Sequence, residues 1–320
     1  MRIGSLTFYE SSLFGMQQQQ SSISRLTQQI AADSRILQPS DDPVDAVRAL
    51  SLSDSAAVRS QYLENQDKAE ITLNYEKTTL DAVNQALLDV RQIITQLAPG
   101  QDNGTRITYA SQIGAAFERL FALANTQDSE GNYIFSGDNA KVQAYVTVTP
   151  VGTGPNYTKV ANFQGTQSTN TTTIEAGRTV QTNDVGSSIF GNIFETLYNI
   201  KQMVDVSGSD PETNAKFAGD VNDAFTLVQS DITTALTNLD TTINNVSLVT
   251  NRVVGAQVDV GSARTTTTSY LNLDLDALAD INELDAAAAI VELQSRQTSL
   301  EAAQRAFAMV SGSSLFDYLS

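Results

Sequence analysis

Apolar residues recur in this 320-residue chain at intervals of three and four, over spans too long for an ordinary globule. Leu73, Leu80, Leu87 and Ile94 are spaced by seven, and Val83, Val90 and Leu97 repeat the spacing three positions later. Together they make the narrow seam of a coiled coil. No Pro or Gly falls between about 52 and 97, so one helix can carry the seam, and Pro99-Gly100 stops it. A longer series runs through Phe225, Val228, Ile232, Ala235, Leu239, Thr242, Val246, Val249, Val253, Ala256, Val260 and Ala263. A helix across 217–263 would be roughly 70 Å long at 1.5 Å per residue. Chains with such helices build rods and bundles.

Shorter helices accompany the long ones. Asn103-Gly104 reads as a turn with Thr105 as the cap of a helix to about 127. Its apolar face is Ile107, Ala110, Gly114, Phe117, Phe121 and Ala124, and the short connection makes it an antiparallel neighbour of the helix before it. Ile189, Ile193, Leu197, Ile200 and Val204 mark another, with Gly208, Asp210 and Pro211 as the turn that follows. Between these helical halves the texture changes. Tyr145–Thr149 alternates at period two, Tyr157–Val160 does so weakly, and Gly152, Gly154 and Pro155 separate them. Thr171–Ile174 reads as a third strand, and Gly131–Gly137 as the strand that leads in.

The ends carry stripes of their own. Met16, Ile23, Ile30 and Leu37 are spaced by seven, with Leu26 offset, and Ile290, Leu293, Leu300, Ala303, Phe307 and Val310 form the counterpart. Neither stripe has a partner nearby in sequence. The economical arrangement packs the two ends on each other. A two-helix coil leaves one side of each helix uncovered, so neighbouring chains can bury it.

Composition removes several function classes. With no His and no Cys, there is no Ser-His-Asp or Cys-His site, no disulfide and no conventional zinc site. A net charge of −17 without a basic cluster argues against nucleic acid and anionic membrane surfaces. No stretch approaches the roughly 18 apolar residues of a membrane span, so no membrane insertion is expected. The start shows no cleavable signal segment. No cofactor and no enzymatic activity are expected.

Two acidic runs offer the alternatives. Ser40-Asp41-Asp42-Pro43-Val44-Asp45 brings three carboxylates together, which could bind a hard cation. The structural account is better: Pro43 suits the first helical position and Ser40 or Asp42 can cap it. Leu273-Asp274-Leu275-Asp276, with Asp280, Glu283 and Asp285, reads as a solvated helix start, not a paired-carboxylate hydrolase site. Gly152, Gly154 and Gly165 lack the lysine and the strand–loop–helix setting of a phosphate loop.

Several segments, taken in order, resemble the flagellin-like flagellar axial proteins, and most closely their hook–filament junction branch. These are Met1-Arg2-Ile3, Arg35–Val44, Asn103-Gly104-Thr105, Asn132–Gly137, Leu300–Ala303 and Ser314–Leu319. Only about 140–185 is left unconstrained. Filament flagellins usually carry an Asn-Ser-Ala-Lys-Asp-Asp-Ala type segment where this chain has Gln38–Pro43, so a filament subunit is the second reading. A non-flagellar adhesin or tail-type structural protein is the third.

The resemblance implies export without a cleaved signal peptide by the flagellar type III route and an extracellular position in the flagellum. It implies terminal helices that order on assembly, with the ordering cost offset by neighbours. Its implied partners are copies of the chain in a ring, hook-associated protein 1 on the hook side, flagellin on the filament side and a cytosolic export chaperone.

The expected fold is mainly α with an inserted small β domain, a flagellin-like long antiparallel bundle whose terminal helices form a coiled coil. Residues 1–50 with 275–320 would form the inner coiled coil, 51–137 with 188–274 the long helical domain, and 138–187 the outer β domain. The expected subunit interface is the two terminal stripes.

Overall fold

The computed structural model describes residues 2–97, 101–150, 160–205 and 221–319, with the side chains of 2–6, 8, 221–228 and 310–319 outside the description. The protein is mainly α with a small β region. In chain order the elements are α1 (Arg2–Ala32), α2 (Pro43–Gln96), α3 (Asn103–Ala124), β1 (Tyr145–Thr147), β2 (Ala161–Phe163), β3 (Thr171–Glu175) and β4 (Arg178–Gln181). They continue with α4 (Gly186–Phe190), α5 (Ile193–Val204), α6 (Val221–Asn282) and α7 (Ala286–Leu319). The chain divides into two compact units, one of residues 1–60 with 268–320 and the other of 61–267.

The 61–267 unit holds nearly all of the apolar core. On α2 the heptad residues Leu73, Leu80, Val83, Leu87, Val90 and Ile94 are fully buried. On α6 the three-and-four series is inward from Ile232 through Leu239, Val246, Val253 and Val260 to Ala263. Each fully buried Leu, Ile or Val side chain contributes about 1.5–3 kcal/mol of transfer free energy. The two helices run antiparallel, because Arg91 pairs with Asp240, Asn74 meets Gln257, and Asp67 and Glu70 meet Arg264. Thr242 occupies a seam position and satisfies its hydroxyl on the Asn238 carbonyl one turn back.

Helix α3 is antiparallel to α2, with Asp89 bridged to Arg119 at 3.2 Å. Its buried face is Arg106, Ala110, Ile113, Phe117, Leu120 and Ala124. Ile107, expected inward, is exposed instead, and Ile113 takes the inner position. The expected start also moves. Asn103 and Gly104 are helical, and Asp102 is the cap, accepting from the Thr105 amide at 3.0 Å. Thr105 therefore donates its N–H and its hydroxyl to Asp102 and does not cap. The Thr105 contacts hold the Asp102 carboxyl below its ordinary value. Asp102→Ala is expected to lower the stability of the 61–267 unit by leaving the Thr105 amide without its cap. A urea midpoint equal to that of the parent would disprove the cap's contribution.

Among the described residues the β region is two antiparallel pairs, β1–β2 and β3–β4. The strand expected at 171–174 is β3, and its partner β4 was not anticipated. Gly131–Gly137 is not a strand. It is a run of turns touching strand geometry only at the bridges Gln127–Tyr133 and Ser136–Val185. Gly137 has φ +73°, and a Cβ there would lie 2.4 Å from the Thr166 hydroxyl, so only glycine fits the turn. Tyr145, Val160, Ile174 and Val180 belong to the same core as the helices. The expected turns at 99–100, 152–155 and 208–211, and residues 157–159, lie outside the described residues, as does the burial of Phe225 and Val228.

An aromatic cluster joins the hairpins to the helices. Phe194 on α5 has its ring centroid 5.0 Å from Tyr145, 5.7 Å from Phe117 and from Phe190, and 5.8 Å from Phe121. Two helices and a strand thus converge on one ring of α5, in the edge-on and offset geometries that aromatic quadrupoles favour.

Candidate functional site

In the other unit the ends of the chain meet. Helices α1 and α7 pack against each other. They are antiparallel: Tyr9 meets Phe307 edge-on at 5.4 Å, Gln19 donates to the Arg296 carbonyl at 3.4 Å, and Arg35 donates its amide to the Asn282 carbonyl at 2.8 Å. Between the helices at either end lies an elbow. Helix α1 ends at Ala32; the next residue, Asp33, is in the left-handed region at φ 48°, and the Ser34 amide returns to the Gln29 carbonyl at 3.1 Å. This is a helix-terminating turn normally given to Gly or Asn, and Asp is among the few other residues that tolerate it.

The elbow is held by charge. Arg35 donates to Asp42 at 3.1 Å and to Asp45, and its Nε reaches the Ile281 carbonyl at 3.1 Å. Asp41 accepts from the amides of Leu37 and Gln38, both at 3.1 Å, and pairs with Arg25 at 3.4 Å. Asp42 caps α2 through the Asp45 amide at 3.1 Å, and Pro43 is the first helical residue. The Asp45 amide, then Arg35, hold the Asp42 carboxyl below its ordinary value. Ser40 is exposed, so of the two expected caps Asp42 fills the role and Ser40 does not. The carboxylates of Asp41, Asp42 and Asp45 are taken up by N–H donors of the chain itself. Among the described residues no group of three or more His, Cys, Asp or Glu side chains is arranged to hold a metal ion.

The second acidic run also differs from expectation. Asp274, Asp276 and Asp280 lie within α6, and the helix start is Asp285, which accepts from the Ala288 amide at 2.9 Å. Asp274 bridges α6 to α2, accepting from Arg59 at 2.6 Å and Ser55 at 2.8 Å. Arg59 also covers the Tyr270 ring at 4.9 Å.

The terminal stripes sit along the α1–α7 pair. Met16, Ile23, Leu26, Ile30 and Leu37 are half-buried, as are Leu293, Leu300 and Phe307. Ile290 and Ala303 are exposed, and Val310 lies outside the described side chains. Among the described residues of this unit, the buried apolar side chains are Ala56, Ile281 and Ala289. Phe14, Val44, Val47, Leu50, Val291 and Met309 are 63–76% exposed. Periodicity had not singled out these six, because an apolar residue off the seam is invisible to a heptad count. Ile36, Leu37, Pro39, Val47, Leu50 and Leu278 line an open groove of about 440 Å³ beside the elbow. No described helix is long and apolar enough to cross a membrane.

Residues 4–140 match the family described as bacterial flagellin N-terminal helical region. The chain is 25% identical over 333 aligned positions to the flagellar hook-associated protein 3 of Escherichia coli strain K12, with 99% of each chain covered. It is 24% identical to the protein of the same name in Salmonella typhimurium, again over 99% of both. Among solved structures, a putative flagellar hook-associated protein of Vibrio parahaemolyticus aligns with 76% of this chain and all of its own, at TM-score 0.62 and 19% identity. The flagellar hook-associated protein-3 of Legionella pneumophila aligns with 72% of this chain and 98% of its own, at TM-score 0.60 and 14% identity. At these identities the structural likeness is one of fold.

Proposed function

We propose that this flagellin-like chain is a structural subunit of the bacterial flagellum, forming the junction between hook-side proteins and the flagellin filament. The observation that carries the assembly role is the terminal unit, which leaves large apolar side chains in water while burying few. Contiguous exposed apolar surface on a folded chain marks an interaction site. The full-length likeness to two proteins named flagellar hook-associated protein 3 supports the position within the flagellum. The subunit interface runs along Met16, Ile23, Leu26, Ile30 and Leu37 on one side and Ile290, Leu293, Leu300, Ala303, Phe307 and Val310 on the other. Segments 1–50 and 275–320 form the inner layer of a ring of copies. Hook-associated protein 1 lies on the hook side and flagellin on the filament side. The chain reaches its place by flagellar export, escorted by a cytosolic chaperone, and works outside the cell without catalysis.

Deleting the gene in its own bacterium is expected to give non-motile cells whose hooks lack filaments and whose flagellin is shed into the medium. Filaments of normal length on the deletion strain would overturn the junction role. Hooks bearing complete junction proteins but no flagellin would favour the filament-subunit reading.

A further inference from the structure

In the 61–267 unit, two carboxylates and one guanidinium meet where three elements cross. Glu76 lies on α2 with its side chain 1% exposed. Asp184 lies on the connector between β4 and α4, and Arg252 on α6. Arg252 donates from Nε to Asp184 at 2.9 Å, and its Nη1 reaches the Gln181 carbonyl at 3.3 Å. Its Nη2 is also against Asp184, and is 3.4 Å from Glu76 Oε2. Gln181 donates to the other oxygen of Asp184 at 2.9 Å. Asp184 thus has a donor on each oxygen. Glu76 shares one long contact, and its Oε1 is buried without a hydrogen-bond partner.

The charge count does not balance. One guanidinium faces two carboxylates, and the charged groups nearby are turned elsewhere. On α2, Lys77 pairs with Asp81 on the outer surface. On β4, Arg178 pairs with Glu175 and with Asp259 of α6. A second buried anion beside Asp184 would be desolvated and repelled, and the shared Arg252 and the Asp184 amide offset only part of this. A proton on Glu76 removes both costs and gives the Asp184 carboxylate a donor.

We propose that Glu76 is the neutral acid of a one-proton clamp, hydrogen-bonded to Asp184, which fastens the β4–α4 connector to α2 and α6 and releases it when the proton leaves. The connector is worth fastening. Ser136 bridges Val185, and the Gly186 amide donates to the carbonyl of Phe135, whose ring meets Phe190 of the aromatic cluster edge-on at 5.6 Å, so the connector is tied to one wall of that cluster. Burial, then the nearby Asp184 charge, push the Glu76 carboxyl well above the ordinary carboxylate value. The sign follows from linkage. The closed connector binds a proton that the open one releases, so closure weakens as pH rises from the ordinary carboxylate range to the raised value.

The test uses the full chain. Native-state hydrogen exchange at the Gly186 amide, corrected for intrinsic base catalysis, should show opening that rises by up to tenfold per pH unit within that window. It should level off above it. The variant E76Q keeps a donor to Asp184 and cannot titrate, so its opening should not change with pH. It should match the parent in acid and be the more stable protein in base. Carbon-detected NMR of the Glu76 carboxyl in the parent provides the second reading and needs no variant. A Glu76 titration at the ordinary carboxylate pH would overturn the clamp. So would an E76Q exchange profile with the parent's pH dependence.

Discussion

Phe194→Ala is expected to destabilise the 61–267 unit by about 3–5 kcal/mol, the range for truncating a fully buried aromatic. Phe194 is completely buried, and its ring touches α3 through Phe117 and Phe121, α4 through Phe190 and β1 through Tyr145. Removing it opens a cavity whose walls belong to different elements, so no single side chain can relax into the space. The loss is a large share of the total stability of most domains, which is of order 5–15 kcal/mol. Chemical denaturation with two probes would measure it, one reporting helix content and one reporting the tyrosine environment. Coincident transitions would be consistent with hairpins and helices unfolding together. Helices that outlast the hairpins would show that the strands contribute little to the shared core, against the burial of Tyr145, Ile174 and Val180.

The long helices were legible because their seams are redundant. Six positions on α2, with Leu97 just past its end, repeat one period, and misreading any one leaves the rest in register. The ends of elements were less legible. Asn103-Gly104 looks like a turn, yet at the exposed start of α3 a glycine loses little, and Asp102 just before it supplies the cap. The acidic run 273–285 looks like a helix start, but neither Leu nor Asp breaks a helix. Asp274 is stabilised in mid-helix by Arg59, whose proximity only the fold reveals. β4 is four residues long and becomes a strand by pairing with β3, so no local pattern announces it.

The elbow was half legible. Pro43 with Asp42 is a local signal and could be read directly. Arg35 is the pin of the elbow, and its partners Asp42, Asp45 and Ile281 come from two distant parts of the chain. A lone Arg seven residues before one aspartate and ten before another was the available hint. The six strongly exposed apolar residues of the terminal unit share no single period, so a search for stripes passes over them. Exposure is a property of the folded surface, and only coordinates supply it.

Leu300→Asp and Ile30→Asp are each expected to abolish assembly and motility while leaving the 61–267 unit folded. Both side chains are half-buried on the α1–α7 pair, one on each helix. As the chain stands alone, a carboxylate at either position can still turn toward water, so the cost to the monomer is modest. In an assembly that covers the outer faces of these helices, the same carboxylate would be buried without a partner. Leaving a charge uncompensated in an interior costs about 3–5 kcal/mol. In a ring or tube that cost recurs at every subunit, so it acts on the polymer far more strongly than on the chain. The terminal helices have little else to hold them, since the buried apolar residues described in their unit are Ala56, Ile281 and Ala289. Swarming assays and electron microscopy of the flagella read the first half of the expectation, and thermal melting of the purified variants reads the second. Normal motility in both variants would show that neighbouring copies do not cover this seam. Collapse of the 61–267 unit in either variant would assign the stripes to the chain's own core, and the assembly face would have to be sought on the exposed residues Val44, Val47 and Leu50 beside the elbow.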